Sequence, residues 1–318
     1  MNSASLSLLP LLSLPLSTYT LFVALMALIL GVVVGSFCNV VILRVPQMLF
    51  RQAQSEQHTT PLDLQQPSSH CPHCLHPLSP RHLIPILSYF WLKGRCAFCT
   101  QPISKRYWRT EALVGFWWLF CAWKFQLLNL DLPLSAASGL STNLSLASSS
   151  TLLIPQALSA LLWASLGSAM MCLAQIDWEH QLLPDAITQP FLWLGLLGAS
   201  FGLLGISVKE SLWGASLGYM SFWLIAYLYR LLCGRDGMGQ GDMKLLALLG
   251  AWLGPLTLIP LVLLASTSGA VVGIWRLKVS KDLAMNEPIA FGPFLILSAF
   301  MLLFWGPHSA LQFLGLGA

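Results

Sequence analysis

Charge is what this sequence has least of. Asp, Glu, Lys and Arg make up only 9% of its 318 residues, against 56% hydrophobic, with a mean hydropathy of +0.71. Soluble domains carry about 25% charged residues. That scarcity excludes an ordinary water-soluble globule and predicts an all-α, polytopic membrane protein. No basic stripe interleaved with aromatics is present, so no nucleic-acid partner is expected and membrane lipid is. No glycine-rich nucleotide fingerprint appears either. The apolar start, Met1 to Ser17, lacks a basic n-region and a small-residue cleavage site, which argues against a removable signal peptide. The sequence does not specify an oligomeric state.

What is present is a series of apolar runs. Eight spans are predicted, over about 19–43, 112–128, 152–176, 186–204, 212–233, 245–252, 256–274 and 288–305. The sixth is short, since a hydrocarbon core of about 30 Å needs about 20 helical residues, and a six- or seven-span count follows if Leu245 to Trp252 does not cross. Asn39, near the end of the first span, either bonds a neighbouring helix or lies at the interface. Arg44 marks the exit from lipid. Lys and Arg favour the cytoplasmic side. Of 16, all but Lys124 and Lys209 fall in three alternate regions, Arg44 to Arg109, Arg230 to Lys244 and Arg276 to Lys281. That side is therefore expected to be cytoplasmic, with both termini on the other.

Four of the eight cysteines, Cys38, Cys121, Cys172 and Cys233, stand singly in apolar stretches and read as small buried hydrophobes. The other four form Cys71-Pro-His-Cys74 and Cys96-Ala-Phe-Cys99 inside the one long polar segment, Gln47 to Arg109. Paired CxxC knuckles at this separation read as a tetrahedral zinc site with Cys71, Cys74, Cys96 and Cys99 as ligands. A module of about 60 residues is near the size where a hydrophobic core is marginal, so the metal would carry much of its folding. Two disulfides are the alternative, disfavoured in a reducing cytoplasm. His70, His73, His76 and His82 read as ordinary loop residues.

The remaining polar signal is acidic. Gly237-Met238-Gly239-Gln240-Gly241-Asp242-Met243-Lys244 is a glycine-rich turn that opens onto the apolar run Leu245 to Leu249. Ionisable groups at membrane depth are costly and mark functional sites. The glycines, Gly239 and Gly241 among them, would permit positive φ and close approach of another chain. The bland alternative has Asp242 capping the next helix. Asp177 and Asp185 fall at the same predicted face. Two carboxylates held together share a proton and permit aspartyl hydrolysis. Asp242 is one member; spacing alone leaves Asp177 or Asp185 as the other. Asp177 ends an apolar helix and should be the better buried, whereas Asp185 follows Pro184 and could cap the fourth span. Glu179 and Asp236 read as solvated loop acids. A transporter with intramembrane acids is the non-enzymatic alternative, although transporters usually bind near the bilayer midplane.

These motifs together resemble the type 4 prepilin leader peptidase/N-methyltransferase family, bacterial inner-membrane aspartic proteases of the GxGD class. The resemblance rests on Gly35-Ser36-Phe37 with Asn39 to Ile42, both CxxC pairs, and Pro102-Ile103-Ser104 with Arg106-Tyr107 and Glu111. It continues through Ile176-Asp177, Leu182-Leu183-Pro184-Asp185, the Gly237–Leu246 stretch and Phe291-Gly292-Pro293. The family implies cleavage of the leader from type IV prepilins and type II secretion pseudopilins at the cytoplasmic face. It also implies methylation of the new N-terminus, with S-adenosylmethionine as donor. It makes Asp177 and Asp242 the catalytic pair, with Asp185 supporting. It ties the zinc region to methylation. Two positions depart from the family pattern: His82-Leu83 stands before Ile84-Pro85 where an acid and Asn are common, and Trp108 follows Arg106-Tyr107 where Pro is usual. A peptidase without the second activity is the alternative. The expected division is 1–45 (first helix), 46–110 (cysteine module) and 111–318 (peptidase).

Overall fold

The computed structural model describes residues 16–53, 62–125, 142–235, 237–279 and 290–305. Asp236, Lys281, Pro288 and Ile289 lie outside the described residues, as does most of the Met1 to Ser17 start. So does Leu130 to Thr151 as far as residue 141.

Among the described residues the protein is helical, without strands. The long helices are α1 (Leu16–Ala53), α3 (Arg106–Lys124), α4 (Thr142–His180), α5 (Asp185–Ser200), α6 (Val208–Cys233), α7 (Gln240–Leu253), α8 (Leu258–Val279) and α9 (Gly292–Trp305). A short α2 (Leu87–Trp91) follows a 3-10 turn at Pro80–Leu83. Among the described residues three stretches are long and apolar enough to cross a membrane: Thr20–Ala53, Ile154–His180 and Leu258–Arg276.

Helix ends depart from the sequence expectation at several charged residues. α1 continues past Arg44 and Pro46 to Ala53. Lys209 and Glu210, expected in a loop, lie in the first turn of α6. There Ser207 and Glu210 form a reciprocal capping box that satisfies two backbone N–H groups. Arg276 and Lys278 belong to the last turn of α8, where cations complement the helix dipole. Cys233, expected to be buried, is exposed at the end of α6; Cys38, Cys121 and Cys172 are buried.

The chain divides into two compact units, Met1–Asn39 with Ser68–Ser168, and Val40–Pro67 with Ala169–Ala318. In the first unit α1 and α3 pack antiparallel along a seam of small residues. A β-carbon on Gly31 would lie 2.7 Å from Trp118 Cβ and 2.9 Å from Gly115 Cα, and one on Gly35 would lie 2.7 Å from Glu111 Cα. Close backbone approach at small residues is how helices associate where lipid supplies no hydrophobic drive. The seam ends at Asn39, whose Nδ2 donates to the Tyr107 carbonyl at 3.1 Å. Asn39 therefore bonds a neighbouring helix. Trp117 and Trp118 anchor α4 by donating to the Trp163 carbonyl and the Ser168 hydroxyl.

The second unit is built on α7. This helix is apolar on all sides after Lys244, the pattern of a helix buried all round, and Met243 and every residue from Leu245 to Trp252 are buried. Gly214 of α6 and Gly250 of α7 meet backbone to backbone, and Gly218 lies against Leu246. Ser211 Oγ donates to the Ala251 carbonyl at 2.6 Å, and Trp252 Nε1 donates to the Phe191 carbonyl of α5 at 2.7 Å. Gly254, at φ +82°, ends the helix.

Candidate functional site

Asp177 lies in the last turn of α4, 5% exposed. Its backbone carbonyl accepts from Gln181 N–H at 2.8 Å, where the chain turns through a left-handed φ of +53° and leaves the helix. Asp242 lies in the first turn of α7, half-buried. Asp242 lies near enough for its charge to act on the Asp177 carboxylate. Asp177 Oδ2 is buried without a hydrogen-bond partner among the described residues, while the carboxylate as a group is approached by the Gly292 backbone N–H. A buried carboxylate oxygen left unpaired is costly, and such exceptions call for a functional explanation.

Two glycines shape the space around the pair. A β-carbon on Gly292 would meet Asp177 Oδ2 at 2.5 Å and Leu183 Cδ1 at 3.4 Å. One on Gly241 would meet Leu183 Cβ at 2.8 Å. Leu183 is thus wedged between the glycine-rich segment and the start of α9. Sequence reasoning quoted Leu183 and Gly292 as motif residues without giving them this contact, because no local pattern names a partner so far along the chain.

The glycine-rich segment differs from expectation in one respect. Neither Gly237, Gly239 nor Gly241 adopts positive φ; Gly239 is extended, at φ −71° and ψ 143°, and is the N-cap of α7. Close approach, rather than a left-handed turn, accounts for Gly241. Asp242 is not the N-cap of α7; that position is Gly239, three residues earlier. It lies where the helix dipole favours an anion.

Asp185 is not the N-cap of α5; that position is Pro184. Its exposed carboxylate accepts both oxygens' worth of bonding from Lys244 Nζ, at 2.8 and 2.7 Å. Of the two candidate partners for Asp242, Asp177 is the buried one and Asp185 is neutralised at the surface. Glu179 is exposed, as expected of a solvated acid, but it lies in the last turn of α4 rather than in a loop.

The four cysteines meet in the first unit. Their sulfurs all lie within 4.8 Å of one another, and the cluster could hold a metal ion. None is in a disulfide. The knuckles are built alike. Cys71 N–H donates to the His76 carbonyl and Cys96 N–H to the Gln101 carbonyl. The residue after each pair, Leu75 or Thr100, is left-handed at φ +57°. The backbone N–H groups of Cys74 and His73 pull the Cys71 thiol down to about 6. Cys99 accepts from the Gln101 amide, yet desolvation and the three neighbouring sulfurs push it up to about 12. One thiolate thus suppresses the next, and a cation is what lets all four ionise together. His70, His73, His76 and His82 stand outside this cluster; His76 instead packs on Phe98 with ring centres 3.7 Å apart.

Helices long and apolar enough to cross a membrane, with a carboxylate pair in one unit and a four-thiol cluster in the other, define a helical protein with two separate polar sites. The chain belongs to the type IV leader peptidase family, whose model matches residues 164–274, and the bacterial peptidase A24 N-terminal domain matches residues 29–125. It is 38% identical over 309 residues to a prepilin leader peptidase/N-methyltransferase of Stutzerimonas stutzeri, covering 94% of this chain and 96% of that one. It is 37% identical to the Pseudomonas putida protein of the same name over 91% and 94% of the two chains. Against that of Aeromonas hydrophila it is 38% identical over 87% and 88%. No solved structure matches.

Proposed function

We propose that this protein is a bifunctional membrane enzyme that cleaves the leader of type IV prepilins and type II secretion pseudopilins and then methylates the new N-terminus. The observation that carries the peptidase is the buried Asp177 carboxylate, unpaired at Oδ2 and within electrostatic reach of Asp242. With one proton shared, the ionised carboxylate takes a proton from water as its oxygen attacks the scissile carbonyl. The protonated one donates a hydrogen bond to that carbonyl oxygen. Collapse of the adduct breaks the C–N bond as the leaving amine takes up the proton that the carboxylate removed from water, which restores the singly protonated pair. Asp185 supports the site through Lys244, which it holds two residues beyond Asp242.

The four-thiol cluster is a structural zinc site. A zinc–sulfur bond of about 2.3 Å gives a tetrahedron with edges of about 3.8 Å, and Cys71 and Cys99 sulfurs are 3.8 Å apart. The residues 46–110 form the module tied to methylation, 1–45 the first helix and 111–318 the peptidase. S-adenosylmethionine supplies an electrophilic methyl group to the exposed amine. The eight long helices each traverse the bilayer, with α7, about 21 Å long at 1.5 Å per residue, shielded by its neighbours rather than lipid. The Lys- and Arg-rich ends face the cytoplasm of a bacterial inner membrane and both termini face the periplasm.

The test is cleavage of a prepilin in liposomes by wild type and Asp242→Asn, with mass spectrometry of the product. Wild type should cut and add one methyl group to the new N-terminus; Asp242→Asn should not cut. Cleavage by Asp242→Asn at the wild-type rate would remove the aspartyl mechanism. An unmethylated product from wild type supplied with the donor would reduce the protein to a peptidase.

A further inference from the structure

At the junction of α1, α3 and the loop before α2, the first unit holds a buried polar cluster that neither the peptidase nor the zinc site uses. Asn39 is 3% exposed and Glu111 7%. Asn39 Nδ2 donates to the Tyr107 carbonyl, which can only accept, so the amide orientation is fixed and Oδ1 is the free acceptor. Oδ1 is buried and has no hydrogen-bond partner among the described residues.

One turn along α3 from Tyr107, Glu111 Oε2 accepts from the backbone N–H of Ile86 at 2.7 Å, and the Ser36 hydroxyl also bonds this carboxylate. Both are neutral donors. Ser36 and Asn39 are three residues apart on α1, and Tyr107 and Glu111 four apart on α3, so the four share one stretch of the seam. The Ile86 backbone is held at φ +59° and ψ −55°, with Leu87 N–H donating back to the Pro85 carbonyl at 2.5 Å. This is the rare, strained hand of γ-turn, and in a β-branched residue a positive φ is an outlier. Strain of this kind persists where the surroundings over-determine it and clusters at ligand clamps.

A buried free acceptor and, on the same seam, a buried carboxylate bound only by neutral donors are a complement for a cation that carries N–H groups. The methyl donor has such an end: its α-ammonium brings three N–H donors and a positive charge, near a positive sulfonium. We infer that Asn39 and Glu111 hold the cationic, N–H-bearing end of S-adenosylmethionine, with Ile86 fixed by Glu111 to form the adjoining wall. This inference rests on the methyltransferase reading.

The experiment uses the full-length protein in detergent or nanodiscs. Equilibrium binding of S-adenosylmethionine is measured for wild type, Asn39→Leu, Asn39→Asp and Glu111→Gln, with hydrogen exchange of wild type with and without the donor. Hydrogen bonds to charged groups set the scale. Asn39→Leu and Glu111→Gln should weaken binding roughly tenfold or more, and Asn39→Asp, which keeps an acceptor, should weaken it less. In wild type the donor should slow exchange in 84–88 and 105–112. Donor-dependent protection confined to other segments would overturn the inference, whether or not the variants fold. So would wild-type affinity in a folded Asn39→Leu. If wild type neither binds the donor nor methylates, the methyltransferase reading fails as well. If it methylates while protection lies elsewhere, only the placement fails.

Discussion

A single β-carbon at position 292 would meet Asp177 Oδ2 at 2.5 Å, closer than real β-carbons approach. Gly292→Ala therefore has to displace the carboxylate or the start of α9. A misplacement of about 1 Å at a reacting group can cost about a hundredfold. We expect Gly292→Ala to lower prepilin cleavage at least about tenfold while protein abundance stays near normal, checked by initial rates against immunoblot levels. Gly239→Ala should lose less, because its β-carbon would come no closer than 3.9 Å to Asp242 and the backbone there is extended. Asp242 and the four cysteines were legible as residues, since an acid in an apolar run and paired CxxC spacings carry their chemistry in local sequence. The Asp185–Lys244 pair and the Glu111–Ile86 bond were not, because each joins residues whose partners only the packing brings together.

At the scale of elements, apolar runs located the helices but not their ends. Hydropathy falls at Arg44, Lys209 and Arg276, yet the backbone continues helical at all three. Long cationic side chains can extend from a helix toward water, and a capping box or the helix dipole can favour charge in the terminal turn. The packing of α6 against α7 was equally hidden, since Gly214 and Gly250 meet only in the fold. A β-carbon on either would overlap the other's backbone carbonyl. Gly214→Ala must force two backbones apart, and overpacking costs about 1–3 kcal/mol. Gly234→Ala, at the C-cap of α6 with φ +69° and open space around it, has no neighbour to displace and should cost about 1 kcal/mol, the lower end of the penalty for a β-carbon on left-handed backbone. Unfolding in mixed detergent should rank the variants in that order; equal loss would mean that the α6–α7 contact yields without strain.

For the whole molecule, the distribution of the two sites matters more than either alone. The four thiols lie within Ser68–Ser168, and both aspartates lie within Ala169–Ala318. A compact unit that keeps its own helices can retain its site when the other loses a ligand. A small metal module, by contrast, draws much of its folding from the metal. Removing the metal proposed for the cluster with a strong chelator, or replacing Cys71 with Ser, should therefore damage methylation more than cleavage. The Glu111–Ile86 bond ties the module's loop to α3, so its loosening reaches the proposed donor site directly. The measurement is one reaction read twice: cleavage by gel mobility and methylation by the mass of the same product. We expect Cys71→Ser to keep most of its cleavage rate and to leave the product largely unmethylated. Equal loss of both activities at normal abundance would mean that the cysteine cluster holds the peptidase together as well, and that the two units do not act separately.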